Sequence, residues 1–374
     1  MSNTVIHFGA GALGKGLVIP VLHDSGLSVT VVDADAGLVD FLNKEGQYHM
    51  YILDDAKNPV RQIPIKKAFH LIHDQEQLIE ALRKTDIVTT SVRRENLPSV
   101  AALLAVAWGQ KSNNTKLVIC CENVENVSSL FRDALLRFAE PQNVENLLQV
   151  KIPDTVVDRG CSANPSEPYS VLTESFYEIG VDEKAVPDTG ISQIPSLPNL
   201  RQCFYRKRFL MNTRADLLSY FAMEYGLRTF GEAVHSQSLQ DYLAPYQNNI
   251  LREALIKEFS MAPSEYENWN SFYLARLQKS DAKSDTRPLN TIARGMWDKL
   301  SYKERIFYPV VLCKKHNCNV SAGISLLADI VQIQKKSECL SNTELIEKLK
   351  KLWCLDQDGQ EIFNQVISLW KERY

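Results

Sequence analysis

What this sequence lacks narrows its role first. No apolar stretch approaches the roughly 20 uncharged residues that a membrane-crossing helix needs, so a bilayer is not an expected partner. Basic charge is not in excess: 42 Lys and Arg stand against 45 Asp and Glu, a formal net charge of −3. A polyanion such as nucleic acid is therefore not an expected ligand. No basic region precedes the first apolar run, Thr4-Val5-Ile6-His7-Phe8, which leads straight into a glycine turn, and no secretory signal is expected. The eight cysteines form no paired framework. Cys120, Cys121 and Cys203 sit within apolar runs, which fits buried thiols in a reducing compartment and predicts a cytoplasmic location. Internal repeats and low-complexity tracts are also missing.

What is present points to two domains, since 374 residues exceed one ordinary compact unit. Short apolar runs at 4–8, 28–32, 86–91 and 116–121 read as strands, with a further one at 170–176. Amphipathic stretches at 12–25, 36–45, 75–83, 97–109 and 125–138 read as helices between them. Such alternation predicts a parallel sheet covered by helices. The proline-rich stretch 185–200 reads as a linker. Beyond it helical periodicity dominates, at 212–224, 237–258, 264–278, 298–314, 321–335, 343–353 and 358–372.

The sharpest local signal is Gly9-Ala10-Gly11-Ala12-Leu13-Gly14, directly after a strand and opening a helix. Gly9 permits a tight turn, Gly11 lets the backbone approach a pyrophosphate, and Gly14 lets helix and strand pack closely. The free N–H groups and positive dipole end of the helix complete the phosphate site. The second strand ends in Asp33, where a carboxylate accepts ribose hydroxyls and repels a 2′-phosphate, so NAD is favoured over NADP. Asp35, beyond the strand end, is a competitor for that role. The fold expected is an α/β N-terminal Rossmann domain with a mostly parallel sheet over 1–195. An all-α C-terminal domain over 196–374 follows, with the reacting groups where the two meet.

Ligands of such sheets lie at the carboxyl ends of the strands. Thr90 and Ser91 end one strand there and Cys121-Glu122-Asn123 ends the next, so Thr90, Ser91 and Asn123 join the expected cofactor site. Arg93 and Arg94 follow as crevice residues or as solvated surface charges. Tyr205-Arg206-Lys207-Arg208-Phe209-Leu210-Met211-Asn212-Thr213, opening the helical half, offers an amine and an amide. Hydride transfer from an alcohol needs a base and an oxygen-holding donor. A lysine serves as base when burial or cationic neighbours such as Arg206 and Arg208 depress its pKa. The same segment also reads as a basic helix in solvent.

Several short motifs change the weighting. His7-Phe8-Gly9-Ala10-Gly11, Thr89-Thr90, Cys121-Glu122-Asn123, Val157-Asp158-Arg159, Lys207…Asn212-Thr213 and Arg287-Pro288-Leu289 occur in register across nearly the whole chain. Together they resemble the mannitol-1-phosphate 5-dehydrogenases within the polyol-specific long-chain dehydrogenase (mannitol dehydrogenase) family. The resemblance implies NAD as cofactor and interconversion of mannitol 1-phosphate and fructose 6-phosphate by a monomer. It implies Lys207 as general base, Asn212 and Asn123 as amides polarising the substrate oxygen, and Asp158 as an organising carboxylate. Arg159, Arg214 and Arg287 are the expected contacts to a polyol or sugar phosphate.

The sequence departs from the family pattern at one point. The family histidine, three residues after the asparagine, is Ala215 here, and the preceding glycine is Arg214. Loss of one preorganised donor costs about 10²–10³ in rate. Arg214 then either anchors a phosphate or carboxylate, or pairs internally with Asp216. Another polyol or sugar-acid dehydrogenase and a non-catalytic NAD-binding paralogue are the alternative readings. Cys313…His316…Cys318 suggests zinc, but no second cluster completes a ligand set, and no metal is expected. His7 reads as packed, while His73 and His235 have no carboxylate at convincing spacing.

Overall fold

The computed structural model describes residues 3–279, 285 and 287–374. The chain divides into two compact units, Met1–Phe204 and Tyr205–Tyr374. The first contains strands β1 (Thr4–Phe8), β2 (Ser28–Asp33), β3 (Gln47–Ile52), β4 (Val60–Pro64), β5 (Lys67–His70), β6 (Ile87–Thr90) and β7 (Leu117–Cys120). Five of these form an all-parallel sheet in the order β5-β2-β1-β6-β7. Helices α1 (Ile19–Asp24), α2 (Ala36–Glu45), α3 (Gln75–Lys84), α4 (Leu97–Trp108), α5 (Val127–Arg137) and α6 (Val144–Leu148) accompany it.

Burial on both faces explains why these strands are almost wholly apolar. Val5, Val29, Val31 and Ile119 enter one core with Leu17, Val18, Leu38 and Leu42, whereas Ile6, Phe8, Val32 and Val118 enter another with Leu78, Leu104 and Phe131. The two-residue period of a strand assigns alternate side chains to the two cores. A second sheet, β4-β3-β10-β9, adds β9 (Cys161–Ala163) and β10 (Val171–Thr173). A third joins β8 (Thr155–Asp158), β11 (Glu178–Asp182) and β12 (Ser196–Leu197).

The stretch expected to be one helix over 12–25 carries a π turn at Gly14–Val18, in which the Ile19 N–H donates to the Gly14 carbonyl. Pro20 lies one residue beyond and has no N–H to give Gly16. Two carbonyls thus lose their helical donors. The Lys15 carbonyl accepts instead from the Tyr48 hydroxyl at 2.7 Å, and the Gly16 carbonyl from Arg159 Nη1 at 2.9 Å.

The second unit is helix-rich, and among its described residues the sole β-bridge is Thr229–Pro288. The helix expected to begin at 212 begins twelve residues earlier, at Leu200, within the first unit. The chain is helical from α7 (Leu200–Lys207) through a π turn, Arg208–Thr213, into α8 (Arg214–Glu224). The stretch expected over 298–314 is broken instead into Met296–Lys299 and Tyr308–Lys315. Pro309 explains the break, because proline is tolerated in the first turn of a helix and not in its interior. Among the described residues no helix is long and apolar enough to cross a membrane.

Candidate functional site

The carboxyl ends of β1, β2 and β6 make a continuous rim. Gly9 N donates to the Val32 carbonyl at 2.8 Å, and Ser91 N to the Phe8 carbonyl at 2.8 Å. Gly9 has φ +94°, which costs glycine little and other residues much. A Cβ on Gly14 would stand 2.8 Å from Ser91 Oγ and 2.9 Å from His7 Nε2, so only glycine fits there. Around Gly11 a Cβ would meet nothing within 4 Å. Packing therefore explains Gly14, while Gly11 borders open space at the helix start, where the first-turn N–H groups have no helical acceptor. That is the cradle a pyrophosphate needs.

His7 props this turn from below. Its Nε2 donates to the Gly9 carbonyl at 2.9 Å, which can only accept, so Nδ1 is the acceptor of the Thr89 hydroxyl at 2.7 Å. Complete burial pushes the imidazole pKa down to about 4, which keeps it neutral. Thr90 does not face the crevice as expected. It is fully buried, and its hydroxyl donates to Glu122 at 2.7 Å. Glu122 also accepts from Val92 N at 2.9 Å, and burial lifts its carboxyl above the usual range. Ser91 Oγ donates to the Gly9 carbonyl at 2.7 Å and so braces the glycine turn. Asn123, the next residue after Glu122, is exposed.

Asp33 Oδ2 accepts from Ala10 N at 2.7 Å and Oδ1 from Asp35 N at 3.0 Å, which seats the carboxylate between the glycine turn and α2. Asp35 is the N-cap of α2, accepting from Leu38 N at 3.1 Å. Its side chain thus caps the helix. Reasoning from sequence missed Lys15, which follows the fingerprint. Its side chain is buried and donates to the Tyr169 carbonyl at 2.7 Å; burial lowers its pKa while Asp33 and Asp35 oppose that shift. Tyr169 is 154 residues away along the chain, so no local pattern announces it.

Asp158 ends β8 and is buried. Arg159, expected at the substrate, is engaged by the fold: Nε donates to the Glu174 carbonyl at 2.8 Å and Nη1 to that of Gly16. Arg93 and Arg94 are exposed.

In the helical unit, the π turn at Arg208–Thr213 decides which residues share a face. Five residues along an α-helix rotate the side chain about 140° away, whereas a π turn closes on the fifth residue and stacks it over the first. Lys207, Asn212 and Ala215 are all partly exposed while their neighbours Arg208, Leu210, Thr213 and Arg214 are buried. Arg206 stacks over Trp269 at 3.6 Å, and Arg208 donates to both carboxylate oxygens of Glu304 at 2.6 Å. The Arg208 guanidinium is thereby paired with a carboxylate.

Arg214 is 1% exposed. Its Nη2 donates to Asn270 Oδ1 at 2.5 Å and its Nη1 to the Leu210 carbonyl at 3.5 Å, while Nε has no partner. Asp216 pairs with Lys299 at 2.9 Å and Arg305 at 3.2 Å. Both readings of Arg214 are therefore corrected: it neither pairs with Asp216 nor presents a guanidinium to a ligand. Arg287 is exposed, pairs with Asp285 at 2.6 Å and lies over Phe230. His316 and Lys315 both bond Glu258, and among the described residues no group of three or more metal-ligating side chains converges.

Three comparisons bear on this arrangement. A family model described as the mannitol dehydrogenase Rossmann domain matches residues 3–193. The chain is 26% identical to a mannitol-1-phosphate 5-dehydrogenase of Thermoanaerobacter pseudethanolicus, covering 98% of this chain and 97% of that protein. It is 27% identical to one of Streptococcus pneumoniae, covering 97% and 98%. Among solved structures, Pseudomonas fluorescens mannitol 2-dehydrogenase in complex with NAD and D-mannitol is similar with a TM-score of 0.75, covering 99% of this chain and 91% of that one at 14% identity. A substrate-free D-sorbitol dehydrogenase gives 0.75 at 15% identity, covering 98% and 92%.

Proposed function

The chain belongs to the mannitol dehydrogenase family, and from that premise we propose that it is an NAD-dependent dehydrogenase interconverting mannitol 1-phosphate and fructose 6-phosphate. The observation that carries the cofactor half is the open cradle at Gly11 beside the seated carboxylate of Asp33. The substrate half rests on relatives of that name matching at nearly full length.

When bound, NAD supplies the hydride acceptor at C4 of its nicotinamide. In this reading Gly9, Ala10, Gly11, Ala12, Leu13 and Gly14 hold the pyrophosphate, and Asp33 takes the ribose hydroxyls. Lys207, as a neutral amine, removes the hydroxyl proton as the carbinol C–H bond breaks, leaving a carbonyl and an ammonium. Asn212 and Asn123 donate to the reacting oxygen, where negative charge develops. Asp158 orients the cationic partner that forms. Ala215 supplies no donor in place of the family histidine, so turnover about 10²–10³-fold below that of histidine-bearing relatives is expected.

Absorbance of reduced nicotinamide, followed with NAD and a panel of polyol phosphates, polyols and aldonates, tests the assignment. Signal with mannitol 1-phosphate, lost in Lys207→Ala, is the expected result. Turnover that survives Lys207→Ala removes the lysine from its role. Clear NAD binding with no substrate in the panel would favour a non-catalytic paralogue.

A further inference from the structure

The loop between β9 and β10 crosses to the start of α2 and is pinned on the way. Glu167 accepts from His49 Nδ1 at 2.7 Å and from the Tyr51 hydroxyl, and its carbonyl accepts from Ser170 Oγ at 2.8 Å. Tyr169 then takes a left-handed φ of 66°, a conformation that costs an aromatic residue on the order of 1–3 kcal/mol. Three contacts hold it there. Lys15 Nζ donates to its carbonyl at 2.7 Å, its ring packs on Phe41 at 5.1 Å, and its hydroxyl reaches over Gly37, where a Cβ would stand only 2.5 Å away.

Gly37 is the second residue of α2, and Asp35 already caps that helix. A ribose held by Asp33 directs any 2′-phosphate towards this same helix start, because free N–H groups and the dipole favour an anion there. The tyrosine hydroxyl stands over that start.

We propose that Tyr169, tethered by Lys15, is a second determinant of cofactor choice, closing the space beside Asp33 against a 2′-phosphate. The inference rests on the NAD reading above. Asp33 repels the phosphate by charge, and Tyr169 refuses it by volume. Loss of Asp33 alone therefore leaves the space blocked by the ring, with the Asp35 carboxylate still at the helix start.

Calorimetric titration of the full chain with 5′-ADP, 2′,5′-ADP, NAD and NADP tests this without requiring turnover. Asp33→Ser alone should gain little affinity for 2′,5′-ADP, whereas Asp33→Ser with Tyr169→Gly should bind it at least about tenfold more tightly than Asp33→Ser does. Glycine suits the left-handed backbone, and a melting curve together with Tyr169→Phe, which keeps the Phe41 contact, checks that the loop still folds. If Asp33→Ser binds 2′,5′-ADP as well as the double variant, or if Tyr169→Gly weakens NAD and NADP alike, the inference is overturned while the cofactor reading stands. An unaltered chain that binds no NAD overturns both.

Discussion

Gly11 and Gly14 look equivalent in the fingerprint, yet the structure gives them different burdens. Gly14→Ala forces a methyl group against Ser91 and His7 and should destabilise the fold by several kcal/mol, on the order of other overpacked or strained sites. Gly11→Ala meets only open space, so the melting temperature should hold while NAD affinity falls, as titration of both variants would reveal. Equal losses of stability would mean that Gly11 is a packing residue after all. His7 carries a pH signature of its own. The unfolded imidazole takes up a proton below about 6.5, whereas the buried one does so only near 4. The unfolded state thus binds more protons in that interval. Stability is full above pH 6.5, falls as pH drops towards 4, and flattens below, a loss of about 3 kcal/mol at most from this group. Urea midpoints across that range should show the slope, and His7→Gln should lack it.

At the scale of the element, Pro20 and Arg159 act as one unit. The proline deprives Gly16 of its helical donor and the guanidinium replaces it. Arg159→Met should therefore cost about 1–3 kcal/mol, the penalty of a buried carbonyl left unsatisfied. In a Pro20→Ala background the restored N–H takes over, and the cost should shrink; a double-mutant cycle reads the coupling directly. An unchanged cost would separate the two residues. Elements also show what the sequence could tell. The core strands β1, β2, β6 and β7 were legible because both faces are buried, which makes them short apolar blocks. The strands β3 and β4 were not, since half-exposed alternation such as Gln47–Ile52 mimics a polar loop until its distant partners are known. The early start of the helix at Leu200 escaped notice because polar residues run all around it, as Arg201, Gln202, Arg206 and Lys207 show, and leave no clean apolar stripe. The fingerprint glycines and Asp33 were visible as spacing. Lys15 and Tyr169 were not, because their meeting is a product of tertiary folding.

For the whole molecule, each of the two units can be followed by ligand and by heat. The cofactor reading assigns the nucleotide to the first unit, so NAD at about a hundred times its Kd should stabilise that unit by about 2.7 kcal/mol. NADP should raise the melting temperature much less, and equal shifts would remove the argument from Asp33. Within the second unit, Asp216→Asn takes the carboxylate from Lys299 and leaves Arg305 only the longer contact to Glu304 at 3.8 Å, with both cations largely buried. A loss of roughly 3–5 kcal/mol is expected from chemical denaturation. No change would mean that solvent reaches both cations.

The wide turn between Arg208 and Thr213 has a consequence for chain length. It contains one residue more than an ordinary helical turn, and the wide closure absorbs that surplus. Deleting one residue from 208–211 would let the turn close as an ordinary α turn, and Lys207 and Asn212, then four apart, would still share a face. The same deletion in the regular helix beyond it, where nothing is in surplus, would swing every later side chain by about 100°. The wide turn is thus a place where the chain can lose a residue and keep its phase.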